Sequence, residues 1–509
     1  MSLESLGRVK GAHTEVTQLA LEQEKKLVKS LRRSDVLLFI VAAVIALDTI
    51  STIASGGLEA LFWGVFLVIT FMIPSALIFA ETGGAFPQEG GPYQWVKYAY
   101  GRLMGSVASM LYWITNPIWL GGTLVLVAHE TFNTYVYDLS QNSVLDWTFK
   151  LGFVWLAIFL AVVSLKTGKI FVNIGAYAKL IVLVLLVATS FVYGLQNGIQ
   201  GLSLSEFSPT LAGFLGIAPV IMFAYVGFEA PSAASEEMFD AQHDTAPAII
   251  RGSIIAMAAY LLPVISILLV IPADQVSSVS SFMGAVETVF SVYGSLGSTM
   301  LTITALLLVY ALVNQGSAWM ISTDRIQAMA AADGAFFGGY FGEFNRKLGT
   351  PLRVNILSGV TSSIFVIAAT LLVEGSVATL FAIVLFCAIS TLLVSYIIII
   401  PSVVKLKRIY PDVPRAFSVP GGLTGFRILA GIVLFYITIG SIVALLPGVL
   451  ENLLGLGYDY QEIWGSSAAS VIGFTFGTFV VVIMLSVVGY FGGARVRADL
   501  VTESEIHGD

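Results

Sequence analysis

The sequence predicts an all-α integral membrane protein with about twelve transmembrane helices, and three observations carry that prediction. Of its 509 residues, 57% are hydrophobic and only 11% charged, whereas an ordinary soluble domain has about 25% charged residues. Lipid must therefore serve as the solvent for much of the surface. Twelve apolar runs reach the length of about 20 residues that a spanning helix needs. Finally, of the 25 lysines and arginines, all but Lys150 and Lys179 fall in the terminal segments or in alternate connections, as the positive-inside rule requires.

The elements follow in order. Residues 1–34 are polar and mixed in charge, with no short apolar stretch of the secretory kind, so insertion relies on the first span. Within them, 16–33 carries Lys25, Lys26, Lys29, Arg32 and Arg33. It reads either as an interfacial helix meeting anionic headgroups or as a solvated tail. The predicted spans are 35–54, 59–81, 103–128, 147–165, 173–195, 211–235, 249–271, 295–322, 354–373, 376–402, 426–448 and 468–491. They group into a first five-helix repeat (35–202), a second (203–402) and two further helices (403–491). Residues 492–509 read as a disordered tail. The basic residues Lys97/Arg102, Lys166/Lys169, Arg251, Arg325 through Arg353 and Lys405 through Arg427 share the side of both termini, which is the cytoplasmic side by charge. The opposite connections carry Glu59, Asp138, Glu206, Asp274, Glu287, Glu374, Glu451, Asp459 and Glu462. The single cysteine, Cys387, lies in the apolar run FAIVLFCAISTLLV, so no intrachain disulfide forms and the residue reads as core.

Four spans carry charge away from their ends, and such residues are functional candidates by default. Asp48 is about 22 Å along a helix from Arg33, near the midplane, in a stretch where Thr49, Ser51 and Thr52 loosen the helix. A shorter first span would leave it in water instead. Glu229, in FAYVGFEAPSAASEE, is bracketed by Gly227 and Pro231, which points to an interrupted helix. Non-helical backbone at that depth survives only in a cavity or in protein; the alternative is a helix end in water. Lys179 is about 15 Å inward of Lys169, either snorkelling or buried and able to exchange a proton. Glu81 stands at a boundary, with a structural role in its loop. Interrupted helices at matching positions of two five-helix halves mark inverted-repeat secondary transporters.

Three stretches resemble the amino acid–polyamine–organocation (APC) superfamily: AETGGAFPQEGGPYQWVKYAYG (80–101), FAYVGFEAPSAASEEMFDAQHDTAPAIIRG (223–252) and STDRIQAMAAADGAFF with FNRKLGTPLRVNI (322–356). The resemblance runs from about residue 33 to 448. It implies a LeuT-like fold of two inverted five-helix repeats plus two helices, with interrupted helices 1 and 6, and a substrate site among spans 1, 3, 6, 8 and 10. It further implies Phe223 as a gate over substrate, Glu229 as a proton-coupling carboxylate and Trp319 as a pocket wall. Lys179 is implied to stand where sodium sits in sodium-coupled relatives. The first span departs from the glycine-rich break of many members: AAVIALDTIST has no glycine and resembles instead the glutamate/GABA antiporter and polyamine-transporter branches. The resemblance therefore carries over no α-carboxylate site on that backbone. Asp48 either meets a substrate ammonium or pairs with Lys179.

The candidate substrate site is therefore Ile45, Asp48, Thr49, Trp113, Asn116, Phe223, Ala224, Tyr225, Gly227 and Trp319, with Lys179 and Glu229 for protons. Asn116–Pro117 interrupts span 3. Tyr112 and Trp119, and Asn314, Gln315 and Ser317, serve either the pocket or helix packing. The expected function is secondary active transport of an amino acid or related amine across the cell membrane, coupled to protons. An exchanger without net proton coupling and a non-transporting sensor are the alternatives. Neither repeated pore segments, nor H-E-x-x-H, nor G-x-S-x-G, nor a P-loop appears, so channel, enzyme and ATP-driven classes lack support. Small substrate, protons and lipid are the expected partners of a monomer or homodimer; no cofactor, metal or nucleic acid is called for.

Overall fold

The computed structural model describes residues 15–163, 165–199, 207–272, 275–372, 376–464 and 467–501. They are overwhelmingly helical, because lipid cannot satisfy backbone N–H and C=O groups and the helix does so within one segment. In chain order the first helices are α1 (Gln18–Glu24), α2 (Arg33–Val44), α3 (Leu47–Ser55), α4 (Gly57–Leu67), α5 (Ile73–Ala85), α6 (Gly91–Tyr100) and α7 (Arg102–Trp119). There follow α8 (Val125–Tyr135), α9 (Ser143–Val162), α10 (Leu165–Asn197), α11 (Leu211–Ala224), α12 (Ala241–Val270), α13 (Ser281–Phe290) and α14 (Gly297–Ala332). The last are α15 (Leu352–Leu372), α16 (Val377–Ile409), α17 (Gly422–Leu445), α18 (Val449–Leu453), α19 (Tyr460–Trp464) and α20 (Ala468–Gly492).

Among the described residues, ten helical stretches are long and apolar enough to cross a membrane, and the pair α2–α3, bent by 45°, makes an eleventh. The sixth expected span, 211–235, is not a continuous helix. α11 stops after 14 residues, and a 3₁₀ segment, Ala230–Glu237, follows an irregular stretch. α7 and α16 hold the centre, α16 packing against both α7 and α17; each is mostly buried, unlike the lipid-facing α20.

Several expectations need correction. The first span breaks at Ile45–Ala46, before Asp48, rather than in the Thr49–Thr52 stretch, which is helical. Asn116–Pro117 does not interrupt α7; a π-helical turn, Leu120–Leu124, follows it instead. There Gly121 and Gly122 let neighbours approach so closely that an added Cβ would collide with Ser362 O and Val384 Cγ1. The eighth span runs on to Ala332, so Arg325 is a buried helical residue rather than part of a connection. Glu81 does not tie down its own loop. It binds Lys407 Nζ at 2.7 Å, Arg415 Nε at 3.0 Å and Val419 N at 2.7 Å, anchoring the segment after α16. Residues 1–14 and 502–509, Glu206, Asp274, Glu374 and the side chains of Lys166 and Glu462 lie outside what is described.

The described parts of the terminal segments are docked rather than free: Val16–Thr17 pairs antiparallel with Leu500–Val501. Thr17 Oγ1 donates to Ala332 O at 2.6 Å. Below that contact, Asp333 binds Lys97 Nζ at 2.9 Å, Arg102 Nε at 3.1 Å and the Tyr93 hydroxyl at 2.8 Å. Burial alone would raise the Asp333 carboxyl, but Lys97 and Arg102 outweigh it and hold it below the ordinary range. Beside this cluster, Arg325 binds Glu237 at 2.7 Å, and Ser30 N and Leu31 N donate to Glu237 O.

Glu24 on α1 gives this terminal clasp a pH dependence. Burial first, then the Glu236 carboxylate, push its carboxyl from 4.5 up to about 8 despite Lys97. The docked segment thus holds the proton more tightly than the released one. Its docking is firmest below pH 4.5 and weakens as pH rises to about 8. Amide exchange in residues 16–31, corrected for its intrinsic pH dependence, should accelerate between pH 6 and 9, and Glu24→Gln should flatten that rise.

Candidate functional site

The broken first helix is the foundation of the site. A break strands backbone groups at membrane depth, each costing several kcal/mol if left unpaired, and here side chains from distant helices take them up. Lys179 Nζ donates to Ala42 O at 2.7 Å and Ile45 O at 2.5 Å. Trp319 Nε1 donates to Ala43 O at 2.7 Å. The Tyr260 hydroxyl donates to Val44 O and accepts from Ala46 N, both at 2.7 Å. Thr49 Oγ1 donates to Ala46 O at 2.8 Å, and Leu47 N reaches Gln315 Oε1 at 3.2 Å.

Gln315 joins the two buried charges. Its Oε1 accepts from Lys179 Nζ at 2.9 Å, while its Nε2 donates to Asp48 Oδ1 at 3.0 Å. Asp48 and Lys179 are therefore bridged by an amide rather than in direct contact. Asp48 Oδ2 also accepts from Trp119 Nε1 at 2.7 Å and Thr123 Oγ1 at 2.9 Å. Three neutral donors hold the carboxylate, and it is 1% exposed.

The second break lies between α11 and Ala230. Gly227 has φ +103°, a conformation glycine adopts at little cost, and a Cβ there would meet Trp319 Cζ2 at 2.8 Å. Its N–H donates to the Tyr396 hydroxyl at 3.1 Å. Next to it, Glu229 Oε1 accepts from the hydroxyls of Tyr112 and Tyr396, both at 2.5 Å. Glu229 Oε2 is buried and makes no hydrogen bond, although the backbone N–H groups of Gly227 and Glu229 lie near the carboxylate. One carboxylate oxygen thus stays open to a proton or an ammonium.

Aromatic rings connect the two carboxylates. Trp119, bonded to Asp48, has its ring centroid 5.3 Å from Phe223 and 6.0 Å from Trp319. Trp319 lies 5.8 Å from Tyr112, which is bonded to Glu229. The result is a packed aromatic cluster with an acid at each end. Among the described residues, no group of three or more His, Cys, Asp or Glu is placed to hold a metal.

Of the sequence candidates, the structure brings Ile45, Asp48, Thr49, Phe223, Gly227, Trp319, Lys179 and Glu229 together, with Ala224 ending α11 beside them. Others face elsewhere. The Trp113 indole donates to Asp324 Oδ1 at 3.0 Å and Ser358 Oγ at 2.8 Å, turning toward α14 and α15. The Tyr225 hydroxyl reaches Gly64 O at 3.4 Å and its ring packs on Tyr260. Asn116, by contrast, shares the face of α7 that carries Tyr112 and Trp119; its Nδ2 reaches Gly316 O at 3.4 Å and its Oδ1 is buried without a hydrogen bond. Sequence reasoning alone misses Thr123, Tyr260, Tyr396 and Asp324. Asp324 is the most legible of them, a carboxylate two residues past the predicted end of a span.

An amino acid permease family model matches residues 31–453. An uncharacterized transporter of Legionella pneumophila is 27% identical over 79% of this chain and 87% of its own length. A probable agmatine/putrescine antiporter of Lactococcus lactis is 25% identical, over 81% and 87%. A branched-chain amino acid permease of Bacillus subtilis is 23% identical, over 79% and 86%. With the broken first helix and its buried charges in view, a match across most of the chain settles its kinship: this is a multi-pass membrane transporter, not an enzyme, and it belongs to the amino acid permease family of the APC superfamily.

Proposed function

We propose that this chain carries an amine, or an amino acid read chiefly through its ammonium, across the cell membrane by proton-coupled secondary transport. The observation that carries the reading is Glu229 Oε2, a buried carboxylate oxygen without a hydrogen bond beside the aromatic cluster. The backbone favours an ammonium over a carboxylate. The N–H groups of Ala46, Leu47 and Gly227 are already committed to Tyr260, Gln315 and Tyr396, so these break donors are not free for an α-carboxylate. The resemblance to an agmatine/putrescine antiporter points to the same substrate class.

Proton and ammonium compete for one oxygen, so occupancy by either excludes the other, and that competition is the coupling. The halves 35–202 and 203–402 would rock about this site as two inverted repeats, with both termini cytoplasmic and Phe223 closing over substrate. Lys179 fills the nook formed by Ala42 O, Ile45 O and Gln315 Oε1 with a fixed cation, so transport would not depend on sodium. Uptake of labelled putrescine, agmatine, arginine and leucine into proteoliposomes tests this. Amines should be favoured over leucine, uptake should respond to an imposed proton gradient, and replacing sodium by potassium should change nothing. Uptake only into vesicles preloaded with amine would indicate exchange without net proton movement; no uptake of any of the four would refute the reading.

A further inference from the structure

We propose that a second organic-cation site lies in a cavity beside the C-terminal end of α3, with Glu451 and Glu59 as its anionic groups and an alkylammonium or guanidinium compound as its ligand. The proposal rests on the amine reading above, and the test below separates the two.

The cavity has a volume of about 620 Å³, and its walls include Thr52, Glu59, Val220, Phe386, Glu451 and Tyr458. Among the described residues, its lining holds no lysine, arginine or histidine. Glu451, on α18, is 4% exposed, yet its Oε2 has no hydrogen-bond partner. A buried carboxylate oxygen without a donor destabilises the fold, a cost that a bound cation would remove. Burial pushes the Glu451 carboxyl above the ordinary range although the backbone N–H groups of Glu451 and Gly448 act against it; an arriving ammonium gives Oε2 a donor and restores the charge. Glu59 is held in place through Oε1, which accepts from Thr210 N at 2.5 Å and Thr210 Oγ1 at 2.9 Å.

The position relates this cavity to transport. Thr52 is one helical turn beyond Asp48 on α3, and Val220 is one turn before Phe223 and Ala224 on α11. The cavity therefore adjoins the gated site, at about 6 Å of helix rise. α17 and the α18 segment, which lie outside the two five-helix blocks, complete its wall. Their contribution is a waiting position for a cation before Phe223 opens.

Equilibrium binding of radiolabelled putrescine and of agmatine to the purified full-length chain in nanodiscs tests this. The wild type should bind two equivalents. Glu451→Gln should halve that stoichiometry, as should Ala382→Phe, which fills the cavity from α16 and so does not depend on the fold of the α18 segment. Glu229→Gln should retain the cavity equivalent. A single equivalent that survives both cavity variants and disappears in Glu229→Gln would overturn the cavity site and leave the transport reading intact. One that survives Glu229→Gln and vanishes in both cavity variants would uphold the cavity site and remove the central one. Binding of neither probe would overturn both.

Discussion

Lys179→Ala should reduce gradient-driven amine uptake at least about 100-fold and lower the thermal stability of the purified protein. The ammonium satisfies three acceptors at once, Ala42 O, Ile45 O and Gln315 Oε1. Removing it orphans two buried carbonyls at the helix break, each worth about 1–3 kcal/mol. Gln315 then loses the partner that orients its amide toward Asp48 and Leu47. Asp48 also loses its balancing cation, and an uncompensated buried charge is the most expensive kind of defect. The break is consequently expected to re-form with different geometry or to take up water. Arginine should not rescue: its planar fork needs more room than the enclosed point charge it replaces. Initial uptake rates and melting temperatures of Lys179→Ala and Lys179→Met check this, and a full uptake rate in either would show that the lysine is dispensable.

That defect also shows what is legible in the sequence. The break at Gly227–Pro231 can be read locally, because glycine, proline and a carboxylate inside an apolar run all act against a continuous lipid-facing helix. The break at Ile45–Ala46 has neither glycine nor proline. It is held open by Lys179, Tyr260, Gln315 and Trp319, from three other helices, and no window of the sequence contains them all. The local polar signal, Thr49 to Thr52, therefore points a few residues too far along.

The two tryptophans of α7 show a similar limit. Trp113 and Trp119 sit on a helix buried on nearly every side. Its polar residues meet partners on several neighbouring helices rather than a single solvent face, so their pattern does not say which face meets the site. Only the packed structure separates Trp119, bonded to Asp48, from Trp113, bonded to Asp324. The spans themselves are legible because long apolar runs follow directly from bilayer thickness. Their partners are not, because those depend on which helices meet.

Glu229→Gln should eliminate the response of uptake to a proton gradient while leaving the fold in place. The amide oxygen can still accept from Tyr112 and Tyr396, so the hydroxyl pair that frames Oε1 persists. What changes is the second oxygen, which becomes an NH₂ group that neither binds a proton near neutral pH nor accepts from an ammonium. Hydrogen bonds to a charged group contribute about 1.5–3 kcal/mol, so amine affinity should fall by roughly ten- to a hundredfold or slightly more. The two losses need not travel together, and that makes the variant informative. If coupling disappears but amine affinity is unchanged, Glu229 handles protons alone and the ammonium is read at Asp48. In that case Asp48→Asn should weaken amines selectively, whereas a carboxylate serving only as the counter-charge to Lys179 would lose all substrates equally. If both fall together, proton and amine share one oxygen, and the coupling is competition at Glu229.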